Sequence, residues 1–593
     1  MAEYKVFVSK FDPIRTRMPE RSVVLTPRNP GWNDFGYQVA ATITIKGVGD
    51  KFLSLDAFVV VLSDSPDVAL RSSFAGWVDE LLALTNERLV PVEFDELKFL
   101  TLLDDDKSYR DLAGWCDSLE ERFSILLAIG DICLARVQGS IVEETLEQVI
   151  ADDVFALGVL RTGSGYRAFE KGPRYVARAV IPWSDDARAN IAIDVLLNGF
   201  QAPHATTLTF DGAQSLVSDR VQVLIGKNGT GKSQLLRHVI GSLALRADTS
   251  GQTIFPDVPN DDFSATAAQW NALPNAVLVF STDHEDLLPR TVRLDAPLDY
   301  WYFSFASQAE HVPSAVPAAM PLGRAVVYLM RDDSLLNGVP RFQIFENIVD
   351  PILPLSLIHL PLKRLPKKVS GAIKDIDGLL WFPLSDVPVG EQALLYLASA
   401  VDLDRDLALI DSERRPFPPS SGQRVYLRFA ALSLCAISQA SLIVLDEPET
   451  HLHPNFVSEF MNLLHDLLTA TSSIALIATH SPYVVREVPT SCVHVVSKDS
   501  NTPSIGSVHL KTLGASVSSI SDAVFGDAAA TKFHRKVAIA LSRQGKKAAA
   551  DEAGRVSWLL ENFGEELNSE MLSTIRFLMS STPQKDSAEE HDA

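Results

Sequence analysis

Cysteine is scarce in this chain. Its 593 residues hold four, Cys116, Cys133, Cys435 and Cys492, scattered and without a CxxC pair. That usage argues against a disulfide scaffold or a zinc site and suits a reducing compartment. Long apolar runs are missing as well. AFVVVL at 57–62 is among the longest and is far too short to span a bilayer. The N-terminal MAEYKVFVSKFD has no basic-then-apolar signal pattern, so the expectation is a cytoplasmic protein with no membrane partner. Positive charge is in deficit. The formal net charge is −22, and so acidic a surface repels nucleic acid on average. Any DNA contact then needs a local basic patch. Lys363, Arg364, Lys367, Lys368 and Lys374 form one candidate, and Lys532, Arg535, Lys536, Arg543, Lys546 and Lys547 another. Solvated helix faces account for both runs as well. No internal repeat is visible.

What is present is ordinary for a soluble globular protein: 46% hydrophobic and 22% charged residues. The length sets an expectation of about two to four domains. Residues 1–174 mix strand-like runs (YQVAATITI, AFVVVLS) with helical ones and read as an N-terminal accessory α/β module. GSGYRAFEKGP, 163–173, carries the Gly and Pro of a boundary. From 175 to 283, NIAIDVLLNGF, TTLTF and VQVLIG read as successive strands. Residues 284–415 are mixed and Pro-interrupted, an insertion expected to form a helical lobe. Over 416–512, short buried strands alternate with amphipathic helices, which predicts a mostly parallel sheet. Residues 513–593 read as a helical C-terminal region ending in a disordered tail, STPQKDSAEEHDA.

The sharpest local pattern is Gly226-Lys227-Asn228-Gly229-Thr230-Gly231-Lys232-Ser233, followed by Gln234. It fits the phosphate loop G-x-x-x-x-G-K-S/T in full. The glycines let backbone N–H groups curl around phosphate oxygens. Lys232 can reach the β- and γ-phosphates of ATP, and Ser233 can ligate Mg²⁺. The context agrees: Val221–Ile225 is apolar, and Leu235, Leu236, Val239, Ile240 and Leu243 share one helical face. A phosphate then sits at a helix N-terminus.

Two further strands end in chemistry. SLIVLDEPETHLHP, 441–454, ends its apolar run on Asp446-Glu447. Asp446 can hold the metal, and Glu447 can polarise an attacking water as general base. A helix-capping acid pair is the bland alternative. SIALIATHSP, 473–482, ends on Thr479-His480, where an imidazole can touch the γ-phosphate. A loop-capping histidine is its bland alternative. Between the phosphate loop and these strands lies Ser420-Ser421-Gly422-Gln423, a small polar hook opening a helical pattern.

The order phosphate loop, PSSGQ, VLDEPE, ATHSP resembles the ABC-type ATPases. It is closer to RecF/SMC-like heads than to transporters. LDEPE-x-HLHP followed by ATHSP resembles the single-chain ATPases of OLD-like and antiphage-defence (Septu- and retron-type) systems. LGASVSSISDAVFG, 513–526, resembles the segment that follows the head there. The resemblance implies an α/β head that binds and hydrolyses ATP with Mg²⁺. Lys232, Glu447 and His480 would be catalytic, and Ser233 and Asp446 the metal ligands. It also implies a homodimer through ATP-sandwiched heads. Ser420, Ser421, Gly422 and Gln423 of one copy would close on ATP held by the partner's loop. The sequence departs from the family at Pro419, at Ser421 and at His453, where the D-loop usually has Asp. Ser281 or Asp283 stands where a metal-binding Gln is usual.

No stretch predicts a long coiled-coil arm. Asp67 with Glu96 and Lys98 only faintly resembles metal-nuclease spacing. The resemblance therefore implies a sensor or regulator of an antiphage system acting through a separate effector, a nuclease or toxin. The alternative is a RecF/SMC-like ATPase that holds DNA for repair or genome maintenance.

Overall fold

The computed structural model describes residues 4–13, 17–28, 36–62, 70–85, 87–92, 99–139, 141, 143–178, 184–210, 219–247, 253–258, 269–270, 272–282, 288–305, 320–367, 369, 371–411, 415–450, 452–525, 533–567 and 569–580. Two compact units emerge, Met1–Ser507 and Val508–Ala593.

The first unit opens with a seven-stranded, largely antiparallel sheet built around the eleven-residue strand Phe52–Leu62. Its apolar faces join the helices Asp106–Trp115, Leu119–Ala128, Ile132–Gln138 and α1 (Gly163–Tyr175) in one core. GSGYRAFEKGP, expected to mark a boundary, is the body of α1. Its small residues serve close packing instead. A Cβ on Gly172 would lie 2.7 Å from Cys133 Sγ and 2.8 Å from Tyr109 Cε2. Pro173 cannot donate to the Phe169 carbonyl four residues back, and Arg136 donates to it in its place.

A second seven-stranded sheet follows. Its strands are β1 (Val221–Ile225), β2 (Ala276–Ser281), β3 (Tyr300–Ser304), β4 (Ser441–Asp446), β5 (Ile474–Thr479), β6 (Val493–Asp499) and β7 (Thr502–Ser507). The order is β3-β2-β4-β5-β1-β6-β7, parallel throughout except for the antiparallel edge strand β7. Every residue of β1, β2, β4 and β5 is buried, as a sheet covered on both faces requires. On one face, Leu235, Leu236, Val239, Ile240 and Leu243 of α2 (Lys232–Ala247) pack against Val277, Val444 and Leu476. On the other, the Phe280 ring meets Phe429 of α4 (Ser421–Ala436), which in turn meets Phe460 of α5 (Pro454–Ala470). A small antiparallel sheet, Gln269–Trp270, Asn190–Val195 and His204–Thr209, joins the α2 side.

The insertion is not simply helical. It carries helices Leu322–Arg331, α3 (Arg341–Val349) and Glu391–Ala400, but also four strands of a five-stranded antiparallel sheet. Asp377 and Gly378 both have positive φ, 53° and 79°, so they form the tight turn that pairs Lys374–Ile376 with Leu379–Pro383. The last strand of that sheet, Pro416–Phe417, leads directly into the hook.

Ion pairs tie these layers together. Arg167 of α1 pairs with Asp105 (2.7 Å) and Asp332 (3.0 Å), and Asp332 faces Arg341 of α3 (3.5 Å). Arg341 in turn donates to the Leu434 and Ile437 carbonyls at the C-terminal end of α4. Arg174 and Arg178 reach Asp299, just before β3.

The second unit contains helices Val517–Phe525, Phe533–Ala548, Glu552–Phe563 and Ser569–Ser580. Ala538, Leu541, Leu559, Ile575 and Met579 form its core. The stretch 581–593, expected to be disordered, lies outside the described residues. Among the described residues, no helix is long and apolar enough to cross a membrane.

Candidate active site

The phosphate loop links the buried end of β1 to the first residue of α2. Its shape demands glycine. Gly229 and Gly231 have φ of +76° and +94°, where a side chain is strained. A Cβ on Gly226 would lie 2.0 Å from the Val496 carbonyl oxygen on β6. One on Gly231 would press on Leu197 and His204. His204 supports the loop from below: its ring is buried, Nε2 lies 3.2 Å from the Thr230 carbonyl oxygen, and Phe200 packs edge-on against it. Burial lowers its pKa, which favours the neutral ring. Thr230 Oγ1 donates to the Lys227 carbonyl (2.9 Å) and braces the turn. Lys227, Asn228 and Gly229 form the exposed tip, and Gln234 is half-buried in the first turn of α2.

Lys232 is 5% exposed. Its Nζ donates to the carbonyls of Gly226 (3.0 Å) and Lys227 (3.2 Å), so the ammonium lies folded over the loop. Burial pushes its pKa down, and the carboxylates of Glu447, Asp446 and Glu449 oppose that shift. Those acids arrive from β4. The strand is not a neighbour of β1, because β5 stands between them. Asp446 accepts a hydrogen bond from Ser233 Oγ at 3.1 Å. A phosphate loop with an ammonium over it, beside a serine–aspartate pair, is the donor set that ATP and Mg²⁺ need. The fit rests on that pair and on Gly226 and Gly231, where a Cβ would collide with its surroundings.

Glu447 is one of the few non-glycine residues with positive φ (48°), and its N–H is pinned to the Ala478 carbonyl at 2.9 Å. Backbone strain of this kind concentrates at functional sites. His480, just past β5, brings Nδ1 to 3.3 Å from Glu447 Oε1 and 3.4 Å from Glu449 Oε1. Lys232, Ser233, Asp446, Glu447 and His480 thus lie together at one end of the sheet.

The hook is placed differently. Ser420 is the N-cap of α4 and, with Gln423, forms a reciprocal capping box. The Gln423 N–H donates to Ser420 Oγ (3.3 Å), and the Ser420 N–H donates to Gln423 Oε1 (2.9 Å). Ser420 and Ser421 are exposed, and Gly422 is buried. Within one chain the hook is therefore a helix cap, with the N-terminal end of α4 turned to the surface. His453, in place of the D-loop acid, is the N-cap of α5. Ser281 is buried at the end of β2, level with Asp446 in the strand register. Asp283, Asp67, Glu96, Lys98, Lys368 and Lys532 lie outside the described residues. Among the described residues, no three His, Cys, Asp or Glu gather as for a metal ion.

Two residues escaped the sequence reading. Glu449 packs beneath His480, and burial raises its carboxyl pKa. Lys498 of β6 holds Nζ 3.5 Å from where a Cβ on Gly229 would lie, so a second ammonium stands at the loop tip. The repeated acid of DEPE was a visible signal for Glu449. Nothing local marked Lys498.

Residues 396–486, from the end of the insertion through His480, match the family model described as "AAA domain, putative AbiEii toxin, Type IV TA system". A stretch of 106 residues is 38% identical to protein ea59 of Escherichia phage lambda; it is 18% of this chain and spans only 20% of the phage protein. Among solved structures, the SMC head domain from Thermotoga maritima aligns over 55% of this chain and 100% of its own, at 13% identity and a TM-score of 0.25. A putative metal-chelate type ABC transporter in an inward-facing conformation aligns over 54% and 83%, at 13% identity and 0.25. Scores that low carry no detail. What this chain's own residues show is an α/β fold with a phosphate loop at the end of β1, the acid-bearing strand β4 beyond β5, and a histidine at the end of β5 between them.

Proposed function

We propose that the protein binds and hydrolyses ATP, pairs head to head on ATP, and acts as the sensing or regulating subunit of a prokaryotic antiphage system that controls a separate effector. The observation that carries the ATPase reading is the convergence of Lys232, the Ser233–Asp446 contact and the Glu447–His480 pair. The loop N–H groups and Lys232 would bind phosphate oxygens, and Ser233 and Asp446 would hold the metal. Magnesium-bound ATP supplies the transferable phosphoryl group and the charge that the metal neutralises. Glu447 would take a proton from water at its carboxylate. His480 would orient toward the terminal phosphate.

The exposed, capped N-terminus of α4 supports the pairing. Ser420 and Ser421 are exposed there, and a helix N-terminus suits an anion presented by a second copy. The match to a family model described by a toxin of a type IV toxin–antitoxin system supports the defence reading. Ser420→Arg tests the assembly. It should leave ATP affinity within about threefold, because Ser420 makes its side-chain contact to its own helix, and should abolish ATP-dependent dimers in light scattering. Loss of nucleotide binding instead would contradict the shared site.

A further inference from the structure

We propose that Glu449 is the positioning residue for His480, holding the imidazole so that its Nε2 is the ring nitrogen offered to a nucleotide. The inference rests on the ATPase reading above, and it starts from an oddity of packing. The Glu449 side chain is only 6% exposed. Its Oε1 accepts from Thr479 Oγ1 (2.5 Å) and from the His480 N–H (3.1 Å). Its Oε2 is buried with no hydrogen-bond partner. A carboxylate with an orphan oxygen is a costly way to fill space. An apolar residue or a glutamine would pack there at lower cost.

The geometry gives the acid a task. Thr479 Oγ1 donates to Glu449 and accepts from the Ser481 N–H (2.9 Å), so the turn after β5 is knitted onto this one carboxylate. The same Oε1 lies 3.4 Å from His480 Nδ1, while Glu447 Oε1 approaches that nitrogen from 3.3 Å. Nδ1 is thereby the nitrogen given to the acids, and Nε2 is left for a ligand. A carboxylate behind an imidazole fixes both ring orientation and tautomer. Glu449 touches neither nucleotide nor water in this scheme; it acts through His480. It also keeps Glu447 from being the histidine's sole partner, which leaves the Glu447 carboxylate available as a base.

Glu449→Gln preserves volume and the Oε1 acceptor but removes the charge. ATP turnover (kcat) should fall about 10- to 100-fold, with the affinity for a fluorescent ATP analogue changed less than about threefold. In a His480→Gln background the same substitution should add nothing further, because its route of action is gone. Proton–nitrogen correlation spectra of histidine-labelled protein should show the His480 ring, assigned with His480→Gln, changing its tautomer balance in Glu449→Gln. Unchanged turnover in Glu449→Gln would overturn the proposal. So would a loss that multiplies fully with that of His480→Gln, or one matched by lower melting temperature and lost nucleotide affinity. If the wild-type protein hydrolyses no ATP, the ATPase reading fails, and the ring spectrum alone decides the role of Glu449.

Discussion

Glu447→Gln is expected to bind ATP normally and to turn it over at least about 100-fold more slowly than wild type. Glutamine has the same shape. It tolerates the left-handed backbone at φ 48° as well as glutamate does, and its amide oxygen can occupy the carboxylate position 3.3 Å from His480 Nδ1. What it cannot do is take a proton. Binding rests on the loop glycines, Lys232 and the Ser233–Asp446 contact, which the substitution leaves alone. The variant should therefore hold ATP unhydrolysed and accumulate as an ATP-bound dimer. Phosphate release and light scattering read the two effects separately. Turnover at the wild-type rate would remove Glu447 from the role of base.

Lys232→Ala should weaken ATP binding by at least about 100-fold, since it removes a charge-assisted donor from the centre of the phosphate cradle. Here the unliganded protein also suffers. The buried ammonium is the donor for the Gly226 and Lys227 carbonyls, and without it these acceptors lose a partner. A melting-temperature drop of a few degrees should accompany the loss. Lys232→Met separates the causes: it keeps the apolar stem and should bind ATP equally poorly. Near-normal binding by Lys232→Met would mean that the stem, rather than the charge, shapes the site.

The site was legible in the sequence wherever its chemistry is local. The Gly226–Ser233 loop carries its own strain requirements, and Asp446-Glu447 and Thr479-His480 each stand at the end of a six-residue buried strand. Their convergence needs only that these strands be parallel and close in the sheet. What escaped depends on packing between distant segments. Glu449 matters because Thr479, thirty residues on, turns its hydroxyl toward it. Lys498 matters because β6 lies beside β1. GSGYRAFEKGP reads as a domain boundary because Gly and Pro usually break structure. In α1 they admit Cys133 and Tyr109 at close range, and Arg136 takes over the carbonyl that Pro173 cannot serve. The insertion's sheet hinges on the short Asp377-Gly378 turn, a signal outweighed by the surrounding prolines. The hook reads both ways: Ser420 and Gln423 cap their own helix, and that same cap presents the helix end to whatever approaches.

Mixing two inactive proteins tests most directly whether the exposed helix end completes a site on a second copy. Lys232→Ala lacks a working phosphate loop but keeps its hook; Ser420→Arg lacks the hook but keeps its loop. Paired with each other, they contain one complete site, built from both chains. ATP hydrolysis should be near zero for each alone and should reappear on mixing, rising with the fraction of mixed dimers. A mixture no more active than its separate components would contradict a site shared between two copies.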